Sequence, residues 1–174
     1  MDFAALNREG KMFSAANVSS KNFIAVTTAM TGLLLYNPLG SGKNLLIADI
    51  GFVWVTAPAA VHNLGVGFYF TGAAVPTSLT AIGSGVLAAD GSGGRGDSVA
   101  SAYDAATLAA APVVQRWIGG AVYGSGVGES PYSILDKVDG ALMVKPGSVL
   151  ALAAVTTTLA GMAHITWAEL PVNP

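Results

Sequence analysis

A lysine closing a glycine-rich turn, serines set between glycines, paired aspartates and two histidines are the side chains that could carry chemistry in this chain. Gly40-Ser41-Gly42-Lys43 has the ending of a phosphate-binding loop, in which backbone amides cradle phosphate oxygens and the lysine reaches them. That motif also requires a glycine where Asn37 stands and a hydroxyl where Asn44 stands. Without the hydroxyl there is no magnesium ligand, and no helical pattern follows to offer its N-terminus. The stretch reads as a turn between strands.

Ser41, Ser84 and Ser125 each sit between glycines. A nucleophile elbow places its glycines one position further out on each side. Those positions hold Leu39 and Lys43, Ile82 and Val86, and Tyr123 and Val127. Asp97-Ser98 is followed by Val99 and Ala100 rather than by the glycines of a protease-type serine. His62 follows a proline-containing loop and His164 falls inside an apolar run, so both read as packing residues rather than metal ligands or acid–base groups.

Asp136 and Asp139 flank Lys137, and Asp90 and Asp97 bracket a glycine-rich loop. The second pair departs from a calcium loop, with Arg95 where glycine is needed and Ser101 where glutamate closes the site. Either pair could hold calcium weakly at an assembly contact. Surface turn positions are the reading adopted, and no metal or cofactor is expected. Arg95-Gly96-Asp97 spells the tripeptide that integrins recognise, and it is read as an exposed loop in which that string is incidental. No nucleophile is assembled with a base, so an enzyme is not expected.

The elements that must position these residues are β-strands almost throughout. From Leu46 the even positions Ala48, Ile50, Phe52 and Trp54 continue one apolar face at period two. Leu64, Val66, Phe68 and Phe70 alternate with Gly65, Gly67 and Tyr69. Further strands are expected at 22–28, 32–36, 113–118, 141–145, 149–155 and 162–170. Asn37-Pro38, Ala57-Pro58, Asp139-Gly140 and Lys145-Pro146-Gly147 separate them, the last suited to a type II turn. Residues 1–20 read as an N-terminal arm and first short strand, with a helical turn at Asp2–Asn7. Residues 21–174 form a single domain with a Gly/Ala/Ser-rich insertion at 71–112. Within the insertion, Val99–Ala111 suits a short helix ended by Pro112. The insertion is read as an exposed elaboration able to carry a binding function, with a disordered loop as the alternative.

Only 10% of the 174 residues are charged against 52% hydrophobic, and the net charge is −2. About 25% charged is ordinary. Such a chain must face water with Ser, Thr, Gly and Asn, or bury its exterior against other subunits. The second explanation is favoured by the strand 149–155, which is apolar on both faces. Val149, Ala151, Ala153 and Val155 on one of those faces, with Trp167, are taken as interface positions. The three tryptophans, Trp54, Trp117 and Trp167, all fall in expected strands and suit core or interface packing. Eight scattered basic residues offer no stripe for nucleic acid, and Val149–Ala163, with three threonines, is too short and polar to span a membrane. The N-terminal residues show no secretory signal. The absence of cysteine excludes disulfides and thiolate metal sites.

The C-terminal third, from Ala141 through the strand 149–155 to 162–170, is similar to the end of jelly-roll domains of the tumour-necrosis-factor and complement-head type. The turn is Pro146-Gly147-Ser148 where those domains usually have Gly-Asp. About half of the chain resembles small trimeric jelly-roll proteins on the particles of tailed bacteriophages. The stretches that carry it are Thr31-Gly32-Leu33-Leu34-Leu35-Tyr36-Asn37-Pro38, Gly40-Ser41-Gly42-Lys43-Asn44-Leu45, Val144-Lys145-Pro146-Gly147-Ser148 and Ile165-Thr166-Trp167-Ala168-Glu169. The resemblance implies an antiparallel jelly-roll sandwich of about eight strands, assembled as a homotrimer. It also implies a head decoration (cement) protein or related spike that docks on the major capsid protein at the virion surface, after assembly in the host cytoplasm. No catalytic residue comes with it. A receptor- or glycan-binding spike using the glycine-rich segment with Tyr103, Tyr123 and Tyr132 is the second reading.

Overall fold

Period-two burial is plainest along 101–107, 133–137 and 159–166, and the computed structural model describes residues 2–55, 62–70, 75–89, 97–121, 133–154 and 158–172. A short helix, α1 (Phe3–Arg8), opens the chain and is capped by the Asp2 carboxylate, which accepts from the Ala4 and Ala5 amides. Strands β1 (Met12–Ala16), β2 (Lys21–Phe23), β3 (Ala29–Asn37), β4 (Lys43–Trp54) and β5 (His62–Phe70) follow. The insertion contributes β6 (Thr77–Ala81), β7 (Leu87–Ala88) and β8 (Ser101–Thr107). The chain closes with β9 (Val113–Ala121), β10 (Ser133–Lys137), β11 (Met143–Val144), β12 (Ser148–Ala154) and β13 (Leu159–Pro171).

Two antiparallel sheets pack face to face. One runs β10-β4-β13-β1-β7, with β11 on β4 and β2 on β13; the other runs β6-β8-β3-β12-β5-β9. Take β1, β3, β4, β5, β9, β10, β12 and β13 as strands A to H. The first sheet then reads A-H-C-F and the second B-G-D-E, which is the strand order of a jelly roll. The fold is therefore all-β, a jelly-roll sandwich whose eight framework strands are joined by five additional strands, β2, β6, β7, β8 and β11.

The insertion is part of the sandwich, not an appendage to it. Its β8 pairs with β3, β6 extends that sheet by one strand, and β7 crosses to pair with β1 at the edge of the other sheet. Three strand edges are thereby covered, which limits uncontrolled pairing with other chains. The expected helix at Val99–Ala111 is a strand instead. Alanine favours helix in isolation, but here Ala102, Asp104 and Ala106 alternate into buried positions against β3. Packing outweighs a propensity worth tenths of a kcal/mol per residue.

The main core lies between the sheets and holds Phe23, Leu33, Leu35, Phe52, Trp54, Leu64, Val66, Leu150, Leu152, Ile165 and Trp167. Phe52 stands edge-on to both Phe23 and Trp54, at centroid separations of 4.9 and 4.7 Å. In β4 the apolar face differs from the simple even-numbered alternation. Leu45 and Ile47 point inward, then Ile50, Phe52 and Trp54 do so. The switch falls where Thr166 pairs with Asp49 but Trp167 pairs with Ile47, leaving one extra β4 residue as a bulge. A one-residue slip exchanges the two faces, so Ala48 goes to the exterior sheet surface under α1.

The turn at Lys145–Ser148 forms as its residues require. Gly147 has φ of 79°, and the Ser148 amide donates to the Lys145 carbonyl at 3.0 Å.

Candidate assembly interface

Among the described residues, Asn37, Ser41, Lys43, Ser84 and Ser98, which resemble parts of catalytic motifs, make contacts that hold the fold. Gly40-Ser41-Gly42-Lys43 is the β3–β4 turn, with the Lys43 amide donating to Ser41 Oγ. Lys43 Nζ reaches across to Glu169 Oε2 at 3.0 Å. Glu169 is 2% exposed and fully used. It also accepts from Ser98 Oγ at 2.6 Å and from the Val99 amide at 3.0 Å, so it pins the return of the insertion onto β13. Ser84 Oγ donates to the Ala16 carbonyl. Asn37, buried in place of the motif's glycine, donates to the carbonyls of Lys43 and Val144.

His164 and Asp49 are neighbours, with Nε2 and Oδ1 separated by 3.4 Å. A Cβ placed on Gly51 would collide with the imidazole, so the missing side chain at Gly51 is what lets His164 lie over β4. Asp49 is held below the ordinary carboxylate value, chiefly by His164, then by Thr166 and the charge of Lys137, against the opposing cost of burial. His164 and Thr166 lie on one face of β13, with Asp49 opposite Thr166 on β4. A hydrolytic triad needs the hydroxyl on the imidazole instead.

Asp136 takes a two-pronged contact from Arg116, while Asp139 sits in a turn with φ of 49°. Asp97 is exposed, and Arg95, Gly96, Asp90, Ser125, Tyr123 and Tyr132 lie outside the described residues. The backbone of His62 is in β5, and its side chain lies outside the description. Among the described residues no three His, Cys, Asp or Glu gather to hold a metal, and no helix is long and apolar enough to cross a membrane.

A polar group that sequence reading missed sits behind β1. Asn17 Nδ2 donates to the Gly32 carbonyl and to Asp104 Oδ1, its Oδ1 accepts from the Ala163 amide, and Asp104 Oδ2 meets Lys21 Nζ at 2.8 Å. These residues lie far apart in the chain, so no local pattern announces them. They join β1, β3, β8 and β13 at one end of the sandwich.

The strand expected to meet a partner is already covered. Val149, Ala151 and Ala153 are 1%, 0% and 0% exposed, in a second apolar cluster with Met30, Leu34, Tyr36, Ala106 and Leu108. Tyr69 and Tyr103 pack on the same cluster. The chain itself supplies this cover, so these three side chains offer no surface to a partner. Trp167 likewise faces the intersheet core beside Phe13 and is 0% exposed, which corrects its reading as a contact residue. Val155 lies outside the described residues. Trp54 is a core residue, whereas Trp117 is 55% exposed.

The chain matches no protein-family model, no curated protein and no solved structure.

Open apolar surface lies on the outer face of the other sheet. Helix α1 shelters one end of that face, where Phe3 and Leu6 pack on Met12, Ala48 and Ala168. Past the helix, the register aligns Leu135, Gly51, His164 and Ala16 across four strands, with Ser133, Val53 and Met162 in the next row. Leu135 is 60% exposed beside a shallow depression of about 350 Å³ floored by Gly51. Four strands about 4.8 Å apart and about five residues deep frame roughly 250 Å². A stable pairing uses about 800 Å² per partner. The patch can therefore be the centre of a contact and not its whole extent. Val18 and Val55, exposed beyond the same strand ends, extend it.

Proposed function

We propose that this chain is a structural virion protein, a decoration (cement) protein that docks as a homotrimer on the head of a tailed phage and stabilises the shell. The observation that carries the assembling role is the apolar outer face around Leu135, which is exposed, with Val53 and Met162 half-buried in the neighbouring row. The jelly-roll strand order supports the reading, because it is the order of the domains that the sequence resembles. The low charge supports it as well, since a monomer of this size would ordinarily carry more than twice as many charges. In a threefold ring each contact is heterologous, so this patch meets a different surface of the next subunit.

Light scattering after size-exclusion chromatography tests the trimer, with three chain masses expected and a stable monomer overturning it. Leu135→Asp combined with Met162→Glu is expected to give folded monomers, because both side chains lie on the outer sheet face. Adding the purified protein to undecorated heads tests the docking, with raised resistance to heat or pressure expected. Particles that lose host adsorption but keep their stability when the protein is absent would instead make it a spike.

A further inference from the structure

Of the three tryptophans, Trp54 and Trp167 are buried, and Trp117 is open to solvent over 55% of its surface. The exposed ring is held in place. A Cβ built on Gly65 would lie 2.7 Å from both Cε3 and Cζ3 of Trp117, and Val114 Cγ1 would be 3.1 Å from the same point. The indole thus occupies space that any other residue at position 65 would fill, on the outer surface of β5 and β9. Bulges in β9 on either side of the Arg116–Trp117 pair set its angle.

The surroundings select the kind of ligand. Alternation places Asn63 on the same face as Gly65, and Asn63 is exposed. Gln115, the extra residue of one bulge, is exposed two residues before Trp117, on the other side of the ring along the strand pair from Asn63. Both amides can donate and accept hydrogen bonds. Besides His62, counted neutral at pH 7, the charged residues in the six strands of this sheet are Asp104 and Arg116. Lys21 engages the first and Asp136 the second. No lysine or arginine on these strands is left to hold a phosphate, which argues against a stacked nucleotide. A seated aromatic ring flanked by neutral amides suits a molecule with an apolar face and a rim of hydroxyls.

We propose that Trp117, with Asn63 and Gln115, forms a binding site for a neutral saccharide, the indole stacking on the sugar's C–H face and the amides engaging its hydroxyls. Such a site would let the assembled protein adhere to a glycan surface, and it does not depend on docking to a capsid.

The test is titration of the full-length protein, in its native oligomeric state, with chitohexaose, maltohexaose and a soluble mannan. Tryptophan emission, acrylamide quenching and the indole N–H resonance of Trp117 are the readouts, since the other two indoles are sheltered. At least one sugar is expected to shift the Trp117 resonance and protect the ring from quenching. Trp117→Ala is expected to weaken that binding about tenfold or more, and Trp117→Phe by less. Gly65→Ala, which unseats the ring, should weaken it as well. Absence of any Trp117 response to all three sugars overturns the proposal, as does binding that survives Trp117→Ala. A change of oligomeric mass in Trp117→Ala without sugar binding assigns the ring to a subunit contact and also overturns it.

Discussion

Arg116 and Asp136 join the two sheets at the β9–β10 edge through a two-pronged contact, Nε to Oδ2 at 2.8 Å and Nη2 to Oδ1 at 2.9 Å. The matched fork holds both side chains in one geometry, and the carboxylate raises the guanidinium pKa further above its usual value. Asp136 is 16% exposed and Arg116 39%, so solvent screens much of the attraction. Arg116→Ala is expected to cost about 1 kcal/mol in urea unfolding, and Asp136→Asn a similar amount. The double variant should cost less than the sum of the two. Additive losses would show that the fork contributes nothing beyond its separate side chains.

Ala151 separates burial within the chain from burial between chains. Its neighbours across the sheet are Leu34 on β3 and Gly67 on β5, and it is 0% exposed in a single chain. Ala151→Asp places an unpaired carboxylate in a dry cluster. The expected cost is on the order of 3–5 kcal/mol, out of a total stability of roughly 5–15. Circular dichroism should show an unfolded or strongly destabilised chain. A folded monomer, with the assembly lost, would mean that this strand does face a partner.

The same strand shows how far the fold was legible in the sequence. Two-sided apolarity at 149–154 correctly signalled cover on both faces, but periodicity cannot say whose atoms provide it. Here Leu108, Met30 and three tyrosines of the same chain do. Leu64, Val66 and Phe68 alternated cleanly and form a strand facing the core as expected. Ala48 was read on one face with Ile50, Phe52 and Trp54 because a bulge is a property of the pair of strands and leaves no mark in one of them. Residues 101–107 were read as helix because alanine's local preference is visible and the pairing with β3 is not. Trp117 was grouped with the other tryptophans because residue type alone does not distinguish a core indole from one seated on a distant glycine. The apolar patch of Leu135, Val53 and Met162 is assembled from three strands, so its members stand far apart in the chain.

Glu169 anchors the insertion, and removing its charge should loosen that segment before the rest. Its carboxylate accepts from Ser98, Val99 and Lys43 while almost wholly buried. In Glu169→Gln one oxygen becomes an N–H₂ donor facing other donors, and the attraction to Lys43 is lost. The expected destabilisation is about 2 kcal/mol, given that Lys43 is partly exposed. Hydrogen exchange should show the Val99 amide losing protection in the variant while amides of β12 keep theirs. Equal loss in both places would make Glu169 a global element and not a local anchor.

Asp49 gives the fold an acid-sensitive contact beneath the exposed patch. His164, Thr166 and Lys137 favour its ionised form, so its pKa in the folded chain lies below the ordinary 3.8. A carboxylate with a depressed folded-state pKa stabilises the fold above its unfolded value, and that contribution fades as pH falls through the folded one. The stabilisation is therefore present at neutral pH and disappears below about pH 4. Because both side chains are about a third or more exposed, its size is expected to be at most about 1 kcal/mol. Asp49→Asn should lower stability at pH 7 by that amount, and the two curves should converge on acidification below the ordinary aspartate value. Parallel curves from pH 7 to pH 3 would mean that Asp49 gains nothing from its neighbours. His164→Gln tests the partner directly, since losing the imidazole should raise the pKa of Asp49 and move its part of the transition toward neutral pH.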